Sequence, residues 1–138
     1  MTVKKIKIKN TTITLPPNAE LLKQTNLDEV LNQTLKKNEK KSDVALVLKC
    51  GEYVLNIVIE DTGTPELRDI RKLEESYDRL IEKNFLQPAN AIKMLLLHHK
   101  GGVDSLLKSL AMRSKVEVVR CSKSIDLYTL LRKREFCI

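Results

Sequence analysis

Lysine alternates with isoleucine at the start of the chain. The order from Lys4 to Lys9 has a period of two, which predicts a strand. Lys5, Lys7 and Lys9 share one face, where they guard an edge strand against pairing with other chains; a phosphate-facing ribbon is the alternative. Ile13 and Leu15 continue the alternation until Pro16-Pro17 ends it. Asn26-Leu27-Asp28-Glu29 has the form of a capping box. Leu27, Val30, Leu31 and Leu35 follow at helical spacing, and Lys36, Lys37, Lys40 and Lys41 crowd the end, where cations suit the helix dipole. A first helix is expected there. The stretches 43–50 and 53–61 are rich in Val, Ile and Leu, with Gly51-Glu52 between them. They predict a β-hairpin, and their apolar residues on both faces place it inside a covered sheet.

Thr64-Pro65 reads as an N-cap with proline at the first helical position. Leu67, Ile70, Leu73, Tyr77, Leu80 and Ile81 then form the stripe of a long helix, with Asn84 as a left-handed stop. Residues 91–98 predict a strand, and Lys100-Gly101-Gly102 a turn into a helix carrying Val103, Leu106, Leu107 and Leu110. Residues 116–120 predict a short strand, and Ser124 caps a last helix with Ile125, Tyr128 and Leu131. Strand and helix alternate from Tyr53 onward, which implies parallel strands with right-handed crossovers. The expected fold is α/β: a three-layer domain with a mixed sheet, in which a central β-hairpin is followed by βαβαβ-type parallel crossovers. One domain spans 1–138, with an N-terminal strand extension at 1–17, a core at 27–98 and basic βα additions at 103–138.

Hydrophobic residues make up 42% of the 138 residues and charged residues 31%, which is globular usage and excludes a disordered chain. The apolar run from Met94 to Leu97 is far short of a membrane span, and lysines interrupt any signal-peptide core at the N-terminus. An intracellular, cytoplasmic location is expected. Cys50, Cys121 and Cys137 fit no zinc or redox spacing, and their odd number argues against a disulfide framework. They read as two buried small hydrophobes and one tail cysteine, with a Cys121–Cys137 bridge left open. The net charge of +7 suggests a polyanionic partner, nucleic acid before anionic lipid. With aromatics at 4% and no Trp, contact to phosphates is expected rather than base stacking.

In open α/β sheets, sites form beyond the carboxyl ends of parallel strands. Here those ends are Glu60-Asp61-Thr62-Gly63, His98-His99-Lys100 and Arg120-Cys121-Ser122-Lys123. A two-residue turn at Gly51-Glu52 pairs Cys50 with Tyr53, and counting back along both strands sets Asp43 opposite Glu60. Opposed carboxylates repel, so they either splay into solvent or hold a hard cation such as Mg²⁺ or Mn²⁺. Only one of His98 and His99 can reach such a site, because neighbours on a strand point to opposite faces. The helix after Gly101-Gly102 offers an N-terminus to phosphate, although Asp104 in its first turn repels an anion.

With this arrangement the chain resembles the PD-(D/E)XK nuclease superfamily over residues 27–98. The resemblance implies a restriction-endonuclease-like fold and a Mg²⁺- or Mn²⁺-dependent nuclease that hydrolyses phosphodiester bonds. Asp43 matches the first motif acid and Glu60 the second, as metal ligands and catalytic residues. Ser42 stands where the motif has Pro, and Thr62 where it has Lys. Relatives sometimes supply that cation from the following helix, where Arg68, Arg71 and Lys72 are the candidates. Glu29 is a further acidic ligand on the same analogy.

The C-terminal half carries a basic surplus of Lys108, Arg113, Lys115, Lys123, Arg132 and Lys133, a candidate surface for nucleic acid, DNA in particular. Without the motif lysine, a catalytically inactive module that binds nucleic acid or assists assembly is the alternative. A homodimer docked through Tyr128, Leu131 and Phe136 is a further expectation.

Overall fold

Apolar side chains at both odd and even positions leave the central hairpin no wet face, and the fold covers it on both sides. The computed structural model describes residues 4–8, 11–26, 44–62, 64–99, 101–120 and 124–136. Its elements are β1 (Lys4–Ile8), β2 (Thr11–Leu15), β3 (Glu20–Asn26), β4 (Val44–Cys50), β5 (Tyr53–Thr62), α1 (Leu67–Glu82), β6 (Ala91–His99), α2 (Ser105–Arg113), β7 (Val116–Arg120), β8 (Ser124–Asp126) and α3 (Leu127–Lys133). The chain is thus α/β, with two mixed sheets and three helices among the described residues. None of these helices is long and apolar enough to cross a membrane.

The main sheet has the order β3-β4-β5-β6-β7. β3, β4 and β5 are antiparallel neighbours, while β5, β6 and β7 run parallel. Side-chain parity splits the core in two. Leu46, Leu48, Leu55, Ile57, Ile59 and Leu96 face the smaller sheet β1-β2-β8 and α3, where Ile13, Leu15, Ile125, Leu127 and Leu131 meet them. Ala45, Val47, Val58, Leu95 and Leu97 face α1 and α2, and pack against Ile70, Leu73, Tyr77, Leu80 and Leu107.

The hairpin forms as its turn predicts. Gly51 has φ +61° and Glu52 is not left-handed, the pattern of a II′ turn with glycine at its first central position. Cys50 pairs with Tyr53, and the ladder runs without a slip to Val44↔Ile59. Asn84, with φ 60°, ends α1 as expected.

The helix starts are corrected. α1 is capped by Glu66, not Thr64. With Thr64 as the cap, the third helical position would be Leu67, which has no acceptor. With Glu66 it is Asp69, whose Oδ2 accepts the Glu66 N–H at 2.8 Å. Leu67 then lies before the buried stripe and is exposed. Ser124 does not cap the last helix: it pairs with Thr12 in the second sheet, and Asp126 caps α3 by accepting from the Thr129 N–H at 3.0 Å. β3 is a strand where the pattern suggested none. The helix expected from residue 27, Glu29 included, lies outside the described residues. Leu131 is wholly buried in its own chain, so it cannot dock a second copy.

Cys50 is disulfide-bonded rather than an unbridged small hydrophobe. Spacing along the sequence could not show this, because the bond depends on which distant segment reaches the hairpin end.

Candidate functional site

The parallel strands β5 and β6 end side by side, with Glu60 level with Leu97, Asp61 with His98 and Thr62 with His99. Glu60 has the parity of Val58, so its side chain lies on the α1 side of the sheet. It is 2% exposed. Lys72, on the second turn of α1, brings Nζ to 3.7 Å from Glu60 Oε1. This is an ion pair just beyond hydrogen-bond range. The carboxylate has a further interaction within the chain, and so has the lysine.

Of the three cations considered on this helix, Lys72 alone reaches Glu60. Arg68 turns outward, and its Nε lies 2.7 Å from Glu66 in an exposed pair. Arg71 is exposed. The difference is rotational: position 72 borders the buried stripe beside Asp69 and Ser76, whereas 68 and 71 fall on the outer side.

His99 shares the parity of Leu97 and stands on the Glu60 side, a diagonal neighbour at roughly 7–8 Å. Its Nδ1 is 2.8 Å from the Gly101 carbonyl oxygen. A carbonyl only accepts, so Nδ1 carries the proton. His98 points to the opposite face, is equally buried and has a partner within the chain.

Asp43 lies outside the described residues, one position before Val44↔Ile59. Among the described residues no three His, Cys, Asp or Glu side chains converge; Glu60 is the predicted ligand that lies within them. At the N-terminus of α2 the Asp104 side chain caps the helix, its Oδ1 accepting from the Leu107 N–H at 2.7 Å, so an acid stands where an anion would bind.

A cleft of about 1020 Å³ runs along the β6–β7 edge of the main sheet. β7 pairs only with Leu95–His99 of β6, so the first half of β6 leaves this space beside it. Its rim combines Lys108 and Lys115 from the α2 side, Lys93 from β6, and Arg134 from the end of α3, with Phe136 below. Arg134 forms an ion pair with Glu117 of β7. His99 and Gly101 line the same cleft, whereas Glu60 and Lys72 do not. The fold brings together Lys108 and Lys115 of the expected basic surface. Arg113, Arg132 and Lys133 are exposed but do not line the cleft, and Lys123 lies outside the described residues.

Sequence reasoning overlooked Asn56, a fully buried amide on β5 below Glu60. Its Nδ2 donates to the Gln87 carbonyl at 2.8 Å and to Tyr77 Oη at 3.1 Å, and its Oδ1 accepts from the Gln87 N–H at 3.2 Å. A lone Asn amid Val, Ile and Leu in a buried strand was the available signal. The clamp fixes the loop after α1 to the strand that presents Glu60.

No protein-family model matches the chain, and no curated protein or solved structure is significantly similar to it.

Proposed function

We propose that the chain acts on nucleic acid as a Mg²⁺- or Mn²⁺-dependent phosphodiesterase of restriction-endonuclease-like type. One observation carries this reading: Lys72 of α1 reaches the buried Glu60 at the carboxyl end of the second hairpin strand. The PD-(D/E)XK signature places an acid there with a lysine two residues later, where this chain has Thr62. A lysine delivered from the next helix supplies the same charge from a different backbone position. Antiparallel hairpin, crossover helix and parallel strand also follow the order the resemblance implies.

In this reading Glu60, with Asp43 as the second acid that the sequence register expects, would hold the cation, which would supply charge stabilisation to the phosphoryl oxygens. Lys72 orients the attacking water and offsets negative charge near it. His99 stands on the same face, and its unprotonated Nε2 is a candidate proton acceptor. Lys108, Lys115 and Arg134 on the cleft rim neutralise backbone phosphates and set the strand's path.

The 2% exposure of Glu60 favours a second reading, in which the pair is structural and the module binds nucleic acid without cleaving it. One experiment separates the two. Labelled duplex and single-stranded DNA and RNA are incubated with Mg²⁺ or Mn²⁺ and wild-type protein, Glu60→Gln, Lys72→Met or Asp43→Asn, with folding checked by circular dichroism. The nuclease reading expects cleavage that falls at least about a hundredfold in each folded variant. No cleavage by folded wild type under any condition refutes it, and a salt-sensitive gel shift then supports the binding module.

A further inference from the structure

We infer that the β6–β7 cleft takes single-stranded nucleic acid, seating unpaired bases on its apolar lining and their phosphates on its cationic rim. This rests on the proposed action on nucleic acid and names the form of strand that is bound.

Three kinds of group meet in the cleft. The first is cationic. Lys93 comes from β6, Lys108 from α2, Lys115 from the turn after α2, and Arg134 from the end of α3. Lys93 is held with its Nζ 4.8 Å from the centre of the Tyr77 ring. Glu117, the acid among the lining residues, is paired with Arg134. The second kind is apolar. Ile92 and Met94 of β6, Val116 and Val118 of β7, Met112 of α2, and Phe136 line the same space. Met112 is 80% exposed, an apolar side chain left in water beside four cations. The third kind is open backbone. β6 runs from Ala91 to His99, but β7 pairs only with Leu95–His99. Residues 91–94 keep β5 on one side, and no other described strand pairs with them on the other. Successive residues turn their N–H and C=O groups alternately to the two sides of a strand. Every second one of these residues therefore offers both groups on the side where the cleft lies.

A single strand has a counterpart for each kind. Its phosphates carry a charge on every nucleotide. Its bases expose apolar faces, and their Watson–Crick edges carry donors and acceptors that no second strand occupies. A duplex has its base faces stacked and those edges paired, so it leaves the apolar lining and the open strand edge unused and meets the rim through phosphates alone. An acidic peptide is charged only where it has Asp or Glu, whereas cations at four points of the rim suit a ligand charged on every unit. The volume of about 1020 Å³ lies at the top of the range for small-ligand pockets, roughly 300–1,000 Å³, which is room for a short run of unpaired nucleotides. Aromatic residues are few, and composition alone points to phosphate contact; the fold supplies an apolar surface for bases by gathering Ile, Val and Met at one sheet edge. His99 lines this cleft and shares the sheet face of Glu60, which links the seated strand to the proposed site.

The test is fluorescence anisotropy on the wild-type protein in EDTA, where a metal-dependent cleavage cannot interfere. Four labelled probes of one length are compared: a single-stranded DNA, the same strand paired with its complement, an abasic strand, and a polyglutamate peptide. The single strand should bind about tenfold or more tighter than the abasic strand, because both carry the same phosphates and only one carries bases. Their slopes of log affinity against log salt should match for the same reason. The single strand should also bind more tightly than the duplex and the peptide. A strand carrying 4-thiothymidine, crosslinked by near-ultraviolet light and mapped by mass spectrometry, should mark cleft residues such as Lys93, Met112 or Phe136. Equal binding of the abasic strand, equal or tighter binding of the duplex or the peptide, or crosslinks confined to other surfaces overturns the inference. Failure to bind any nucleic acid overturns it together with the proposed function. Single-strand binding without cleavage in Mg²⁺ or Mn²⁺ overturns the nuclease reading and leaves this inference standing.

Discussion

Replacing Glu60 by Gln and Lys72 by Met, singly and together, isolates the interaction on which the proposed site rests. At 3.7 Å a pair of unit charges is worth about 1.1 kcal/mol in bulk water and about 4.5 kcal/mol at an effective dielectric of 20. The Glu60 side chain is 2% exposed and that of Lys72 29%, so the pair lies between these limits. The separation exceeds hydrogen-bond range, so no hydrogen-bond contribution is added. A coupling of about 2 kcal/mol follows. Urea unfolding of the four proteins at pH 7, with linear extrapolation, gives this quantity as the non-additive part of the cycle. Lys72→Met alone should cost roughly 2–3 kcal/mol, less than the 3–5 kcal/mol typical of breaking a fully buried pair. Raising salt should weaken the coupling little, because the carboxylate is shielded from bulk ions. A coupling below about 0.5 kcal/mol, the value of an exposed pair, would refute the reasoning and remove the lysine from the proposed site.

Asn56→Ala deletes three hydrogen bonds inside the core and should destabilise the protein by about 2–4 kcal/mol in urea unfolding; a loss below about 1 kcal/mol would show that the clamp on Gln87 is not made. Gly51→Ala should cost about 1–2 kcal/mol from backbone strain alone, since an added Cβ meets no atom within 4 Å, and Gly51→Asn should cost less because Asn tolerates the left-handed region. The reverse order of melting temperatures would mean the cost is steric. Lys108→Glu with Lys115→Glu should weaken duplex DNA binding and lower the slope of log affinity against log salt by about 1–2, measured by fluorescence anisotropy; an unchanged slope would place the phosphates elsewhere.

The hairpin, its register and its double-sided burial were legible in the sequence, because each follows from local causes. Gly51 at the first central position of a two-residue loop sets the pairing, and alternation then assigns every side chain to a face. The stripe and stop of α1 were legible for the same reason. β3 was not, because it is an exposed edge strand with a register shift between Leu21 and Lys23 that breaks its period of two. The start of α1 was misread because two capping signals overlap, and the choice between them depends on which residue stands three positions later.

By itself, then, the sequence determined the class of fold, the hairpin ladder, the long crossover helix and the placing of Glu60 at a strand end. These depend chiefly on neighbours a few residues apart, so the local pattern of residues carries them. Only the tertiary structure decided that Lys72 rather than Arg68 meets Glu60, that His99 rather than His98 shares its face, and that Lys108, Lys115 and Arg134 rim one cleft. It alone brought Phe136 against Tyr53. Such facts depend on how α1 is rotated on the sheet and where distant segments close on one another. The packing of the whole core sets those positions, and no local pattern of residues encodes them.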